Sequence, residues 1–365
     1  MKLKKSYLFI QSFVFALFAL SSAIAYCAES EKPLPVHTGG RVIMSKENNL
    51  TQFEYAWPGV YFESRFSGTR VDVHLNDSVN MLNLIVDDQA PIILNKPGKT
   101  VYTLNNLPNA VHKIRLEKRT ETFSATAKFE GFFIPATQKV LAPEVPTRSI
   151  EIIGDSFSVG YGDMSSERQC NSEQVFTSTN TQQAYGPLVA KYFHADYQVN
   201  AISGRGVVRN YKGSNPDSSL LIEYPHALNF GAEKNTGKWT PNIIVIVLGI
   251  NDFNTPLDAH ERWKSREDLQ NDFVTNYEKF VVGLRASHPK ATIFLISADK
   301  PGSELATQIT RVFDNLKKQS VQNIILKVSE VELTLNGCDY HASAGDHQKV
   351  ANMFIDYIKE RPELW

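Results

Sequence analysis

Cysteine is scarce, with three in 365 residues, and the nine histidines are scattered. No Cys-x-x-Cys or His-x-x-x-His spacing occurs, so the sequence makes no case for a metal centre. Neither sign of charge is in excess: 38 basic and 39 acidic residues leave a net charge of -1. No global basic field therefore points to nucleic acid. There are no internal repeats and no low-complexity tract. Gly204-Arg205-Gly206 lacks the third glycine and the helix context of a dinucleotide fingerprint. No cofactor is expected. Hydrophobic residues at 42% and charged residues at 21% are ordinary globular usage, which excludes a chain disordered throughout or a polytopic membrane protein.

The N-terminus has a different style. Lys2, Lys4 and Lys5 precede an unbroken apolar run from Phe13 to Leu20, and Ala23-Ile24-Ala25 is a small-x-small cleavage site. The run is too short to span a bilayer comfortably, so residues 1–25 read as a secretory signal peptide rather than an anchor. The mature chain is expected in the periplasm or outside the cell. Cys27 leaves a lipoprotein as a minor alternative, with bulky Tyr26 where lipid attachment wants a small residue. Cys170 and Cys338 suggest one disulfide in an exported chain. It would close a very long loop, worth about 4–5 kcal/mol in the chain-entropy model. Two separate buried thiols remain the alternative.

Two folding styles follow. Residues 26–140 show short alternating runs: Val71-Asp72-Val73-His74-Leu75, then Leu82, Leu84 and Val86, then Val101 to Leu104, and, less regularly, Val111, Ile114 and Leu116. Turn signals such as Trp57-Pro58-Gly59, Ser67-Gly68-Thr69 and Lys96-Pro97-Gly98 separate them, which argues for an all-β sandwich or jelly roll. The proline-bearing stretch 141–147 reads as a linker. From 148 to 365, strands at 150–153, 197–202, 243–248, 292–297 and 323–328 alternate with helices at 182–194, 258–287, 302–319 and 347–360. That order predicts an α/β fold with a doubly wound parallel sheet.

Ligands in such sheets sit beyond the carboxyl ends of the strands. Three strands here end in Gly154-Asp155-Ser156, Ser203-Gly204-Arg205-Gly206 and Gly249-Ile250-Asn251-Asp252, and Cys338-Asp339-Tyr340-His341 follows near the C-terminus. Singly, each is an ordinary turn. Together they supply acyl-transfer chemistry. Ser156 is a nucleophile once a base takes its proton, and His341 is that base. Asp339 fixes the histidine tautomer if the segment is extended, since residues i and i+2 then share a face. The N–H groups of Ser156 and Gly204 and the Asn251 amide are candidate donors for an oxyanion hole.

In that order, Ser156, Gly204, Asn251 and His341 resemble the four blocks of the SGNH (GDS-type) hydrolase superfamily. The acid lies two residues before the histidine, where many members have it three before. That departure, the run Ile202 to Val207 and the preceding β module look most like carbohydrate esterase family 2. The resemblance implies a jelly-roll domain followed by an SGNH domain. It also implies an exported serine esterase that removes O-acetyl groups from a polysaccharide or oligosaccharide. Tyr340 and Arg205 are candidate substrate contacts, with a packed loop aromatic and a surface ion pair as the alternatives. Asp155 and Asp252 are expected in structural hydrogen bonds. The polar, irregular stretch 163–181 is a candidate lid or cleft wall, with Cys170 a candidate to be tied to Cys338 near His341, and 210–240 is a second long insertion that could shape the cleft. Two other readings remain: a lipid esterase or thioesterase of the same chemistry, or a glycan-binding protein with a silent hydrolase domain.

Overall fold

The computed structural model describes residues 30–365 except Ser124. The leader 1–25 and Cys27 lie outside the described residues. The alternating runs form two six-stranded antiparallel sheets. In one, the order is β3 (Val42–Glu47), β4 (Leu50–Tyr55), β11 (Ala127–Pro135), β6 (Val71–Asp77) and β9 (Gly98–Leu104), with β1 (Glu31–Pro33) paired to β11. In the other it is β12 (Lys139–Leu141), β5 (Tyr61–Gly68), β10 (Ala110–Lys118), β7 (Met81–Val86) and β8 (Ile92–Asn95), with β2 (His37–Gly39) paired to β5. Side chains alternate across each strand, so Val71, Val73 and Leu75 enter the core, as do Leu82 and Leu84. Phe62 on β5 meets Phe53 and Phe129 of the facing sheet at ring-centroid distances of 5.5 and 4.4 Å. Val111 is out of phase with Ile114 and Leu116 and lies exposed.

The hairpin β3–β4 turns at Asn48-Asn49, both left-handed (φ 49° and 64°), a turn that asparagine tolerates. Leu141, read as the first linker residue, still ends β12, so the connection begins one residue later than read.

The second half holds a five-stranded parallel sheet in the order β14 (Ala195–Ala201), β13 (Arg148–Gly154), β15 (Ile243–Val247), β16 (Thr292–Ser297) and β17 (Ile324–Val328). Every residue of β15 is buried because both faces are covered. Ile244 and Ile246 pack toward α6 (Arg266–Ser287) and α7 (Glu304–Lys318). Ile243 and Val245 pack toward α3 (Tyr185–Tyr192) and α8 (Ala344–Lys359). Helix α6 starts later than the pattern suggests, since Ser265 caps it by accepting from Asp268 N at 3.1 Å. Helix α8 starts earlier, at a capping box of Ser343 and Asp346. The stretch 163–181, read as irregular, contains α2 (Ser172–Ser178), whose box pairs Asn171 with Gln174. The long insertion 210–240 carries the single-turn α4 (Leu220–Glu223).

The halves meet through buried polar contacts. Arg115 on β10 bonds Glu63 at 3.0 Å and Glu117 at 2.6 Å, and reaches across to the Tyr197 hydroxyl at 3.0 Å. Lys191 on α3 answers Glu117 at 2.9 Å. The Tyr61 hydroxyl donates to Asp196, and Arg41 pairs with Glu151 at 3.3 Å. The strand order reverses between β13 and β15, and that reversal sets the crevice.

Candidate active site

Asp155 ends the turn after β13 and caps α1 (Ser156–Val159), accepting from Phe157 N at 3.1 Å. Ser156 is thus the first residue of that helix, where backbone N–H groups have no intrahelical acceptor. His341 reaches it from the opposite end of the chain, with Nε2 2.8 Å from Ser156 Oγ. Its Nδ1 lies 2.9 Å from the carbonyl oxygen of Cys338. A carbonyl only accepts, so Nδ1 carries the proton and the Nε2 lone pair faces the serine. Burial holds the imidazole below its ordinary pKa, which favours the neutral base.

Asp339 does not occupy the position expected of it. Residues 338–340 form a tight 3-10 turn with Asp339 and Tyr340 in the left-handed region (φ 51° and 60°). The segment is not extended, so the i, i+2 argument fails. The Asp339 carboxylate instead accepts from the Tyr161 hydroxyl at 2.9 Å. The Tyr161 ring in turn lies 4.5 Å from the His341 ring. Tyr161 was not singled out in the sequence, where no motif marks it.

The histidine turn is braced from 163–181. Cys170 and Cys338 form a disulfide. Arg168 donates to Leu335 O at 3.0 Å and Thr334 O at 2.9 Å, and its own carbonyl accepts from Asp339 N at 2.6 Å. Gly162 has φ +58°, and a Cβ there would lie 2.3 Å from Cys338 Cβ, so the close approach needs glycine.

The second block follows β14. Ile202 N donates to Gly154 O at 3.3 Å, which ties this loop to the nucleophile strand. Gly204 has φ +75° with nothing within 4 Å of a would-be Cβ. Asn251, on α5 (Ile250–Phe253), stands beside the serine turn, but its amide donates to Arg205 O at 2.9 Å and Asp155 Oδ2 at 3.2 Å. Both amide hydrogens are engaged within the protein. Asp252 accepts from the amides of Val207, Val208 and Arg209 at 2.9, 2.8 and 2.9 Å, the structural role expected of it. Burial pushes the carboxyls of both Asp155 and Asp252 up to about 7. Arg205 is half-buried with its Nε lacking an acceptor among the described residues. Tyr340 is 61% exposed, its ring over Arg168 at 5.1 Å, so it is not a packed loop aromatic. Among the described residues no cluster of His, Cys, Asp and Glu could hold a metal ion.

A family model described as carbohydrate esterase 2 N-terminal matches residues 38–143, and one for the GDSL-like lipase/acylhydrolase family matches 152–330. An acetylxylan esterase/glucomannan deacetylase of Cellvibrio japonicus is 45% identical over 351 residues, 95% of this chain and 96% of that protein. The cellulase/esterase CelE of Acetivibrio thermocellus is 30% identical over 84% of this chain, which matches 37% of that longer protein. A solved carbohydrate esterase, 44% identical, superposes with a TM-score of 0.87 over 92% of this chain and 100% of its own. A family two carbohydrate esterase from Clostridium thermocellum, solved with cellohexaose, is 26% identical, with a TM-score of 0.76 over 91% of this chain and 100% of its own.

Proposed function

Since the chain belongs to carbohydrate esterase family 2, we propose that it is an exported acetylesterase acting on acetylated plant polysaccharide, with xylan and glucomannan as first candidates. The observation that carries the mechanism is the position of His341, bonded at one nitrogen to Ser156 Oγ and at the other to the Cys338 carbonyl. Ser156 attacks the acetyl carbonyl while Nε2 takes its proton. The carbonyl of Cys338 holds the tautomer and stabilises the imidazolium by accepting from Nδ1–H, the part that a carboxylate plays in a triad. The N–H groups of Ser156 and Gly204 serve the tetrahedral oxyanion. Asn251 joins them by exchanging its longer contact, to Asp155, for the substrate oxygen. The imidazolium then protonates the departing sugar oxygen. Water, deprotonated by the same nitrogen, releases acetate and restores the serine.

Asp339 enters only through Tyr161, which it steadies against the imidazole face. Tyr340, exposed and next to His341, and Arg205, next to Gly204, are the candidate contacts for a sugar ring. The test is acetate release from acetylated xylan, acetylated glucomannan and p-nitrophenyl acetate by the mature chain and by Ser156→Ala. The parent should release acetate from at least one polysaccharide and the variant from none. Cleavage of long acyl esters with no acetate from any polysaccharide would overturn the substrate class.

A further inference from the structure

Glu121 lies in the β-sandwich half of the chain, just after β10, yet its carboxylate reaches the loop that carries Gly204. Its Oε1 accepts from Ser203 N at 2.7 Å, one residue before the proposed oxyanion donor. The rest of that loop is held by the α/β half. Tyr211 N donates to Gly204 O at 2.9 Å, Asn251 Nδ2 to Arg205 O at 2.9 Å, and Gly206 N to Asn210 Oδ1 at 3.1 Å. The space around the missing Cβ of Gly204 is open, so side-chain packing cannot fix this residue. Hydrogen bonds on the residue itself and on its neighbours then set its orientation. Because peptide groups are planar, anchoring the Ser203 N–H fixes the plane immediately before the one that bears the Gly204 N–H.

The segment delivering Glu121 is itself tethered on both sides. Arg119 O accepts from Thr181 N at 3.0 Å and from its hydroxyl at 2.9 Å, and Thr122 O accepts from Asn229 Nδ2 at 2.7 Å. On the sandwich side, Thr120 Oγ1 accepts from Met81 N at 3.0 Å. Lys118 and Arg205 supply the positive charge around the carboxylate. A half-buried acid held this firmly, bonded to a backbone amide beside an otherwise unpacked glycine, is placed to orient that glycine.

We propose that Glu121 is a positioning residue for the esterase reaction. By fixing the Ile202–Ser203 peptide it orients the next one, so that the Gly204 N–H points at the developing oxyanion, and the β-sandwich thereby completes the active site. The inference rests on the esterase reading above. The experiment compares Glu121→Ala, Glu121→Asp and Glu121→Gln with the parent on p-nitrophenyl acetate, with Ser156→Ala as reference and thermal midpoints recorded in parallel. Removing or shortening the acceptor should lower kcat by about 10- to 100-fold, less than deleting a donor outright, with KM changed less than about twofold. Glu121→Gln, which keeps an acceptor oxygen, should recover most of the loss. If the alanine variant fails to fold, the aspartate variant carries the test, since it keeps the charge but withdraws the carboxylate. A kcat within twofold of the parent in both shortened variants overturns the proposal. So does a loss confined to KM, or a glutamine variant as slow as alanine. Turnover retained by Ser156→Ala would instead sink the esterase reading itself.

Discussion

His341 has its Nδ1 engaged by a backbone carbonyl, and two outcomes follow at the scale of single residues. In a Ser-His-Asp triad, replacing the aspartate by asparagine costs about 10⁴-fold in kcat because the tautomer is wrong. Here Asp339→Asn should cost less than about tenfold, since the side chain accepts from Tyr161 and not from the imidazole. Steady-state kinetics on p-nitrophenyl acetate would separate the two. Burial lowers the His341 pKa, so the imidazole stays neutral to lower pH than a free one. The acid limb of the kcat/KM profile should therefore lie below pH 6.5, the ordinary histidine value. Ser156, Gly204 and Asn251 were legible as candidates because each follows a strand in a polar turn, and His341, near the C-terminus, because it completes their order. The acceptor for Nδ1 was not, because any residue carries a carbonyl and only the left-handed turn at 339–340 aims this one.

The segment bearing His341 is framed by α8, and Asp346 is where the frame is pinned. Its carboxylate accepts from Thr334 N at 2.9 Å, Leu335 N at 3.0 Å and Ser343 N at 3.1 Å. These bonds outweigh burial and hold the carboxyl well below the usual range. A depressed folded-state pKa means this stabilisation is present above the unfolded value near 3.9 and is lost as pH falls below it. Asp346→Ala should lower unfolding free energy by about 2–3 kcal/mol at neutral pH, from the lost cap and the stranded donors, and by progressively less below pH 4. Urea titrations at pH 7 and pH 3.5 would measure both. The parallel strands were readable from their apolar runs. The start of α6 was not, because its pattern continues upstream of Ser265, and α2 was hidden by its short polar sequence.

Across the whole molecule, the Cys170–Cys338 bond closes a loop of sequence separation 168. In the chain-entropy model that is worth about 5 kcal/mol. Reduction, or Cys170→Ser, should lower the thermal midpoint by several degrees and slow turnover, because the bonded cysteine also supplies the carbonyl that orients His341. Differential scanning calorimetry with parallel rate measurements would show whether the two losses travel together. None of the contacts between the halves could be read from the sequence, since each partner lies far along the chain from the other. Arg115 has its guanidinium 3.6 Å over the Tyr61 ring while bonding Glu63, Glu117 and Tyr197. Swinging one half away from the other would part Arg115 from Tyr197, Lys191 from Glu117, Tyr61 from Asp196 and Arg41 from Glu151, and separating buried charge partners is costly. The joint therefore works as a weld rather than a hinge. The Gly204 loop, gripped by Glu121 across this joint, thus has its shape cast once, at folding.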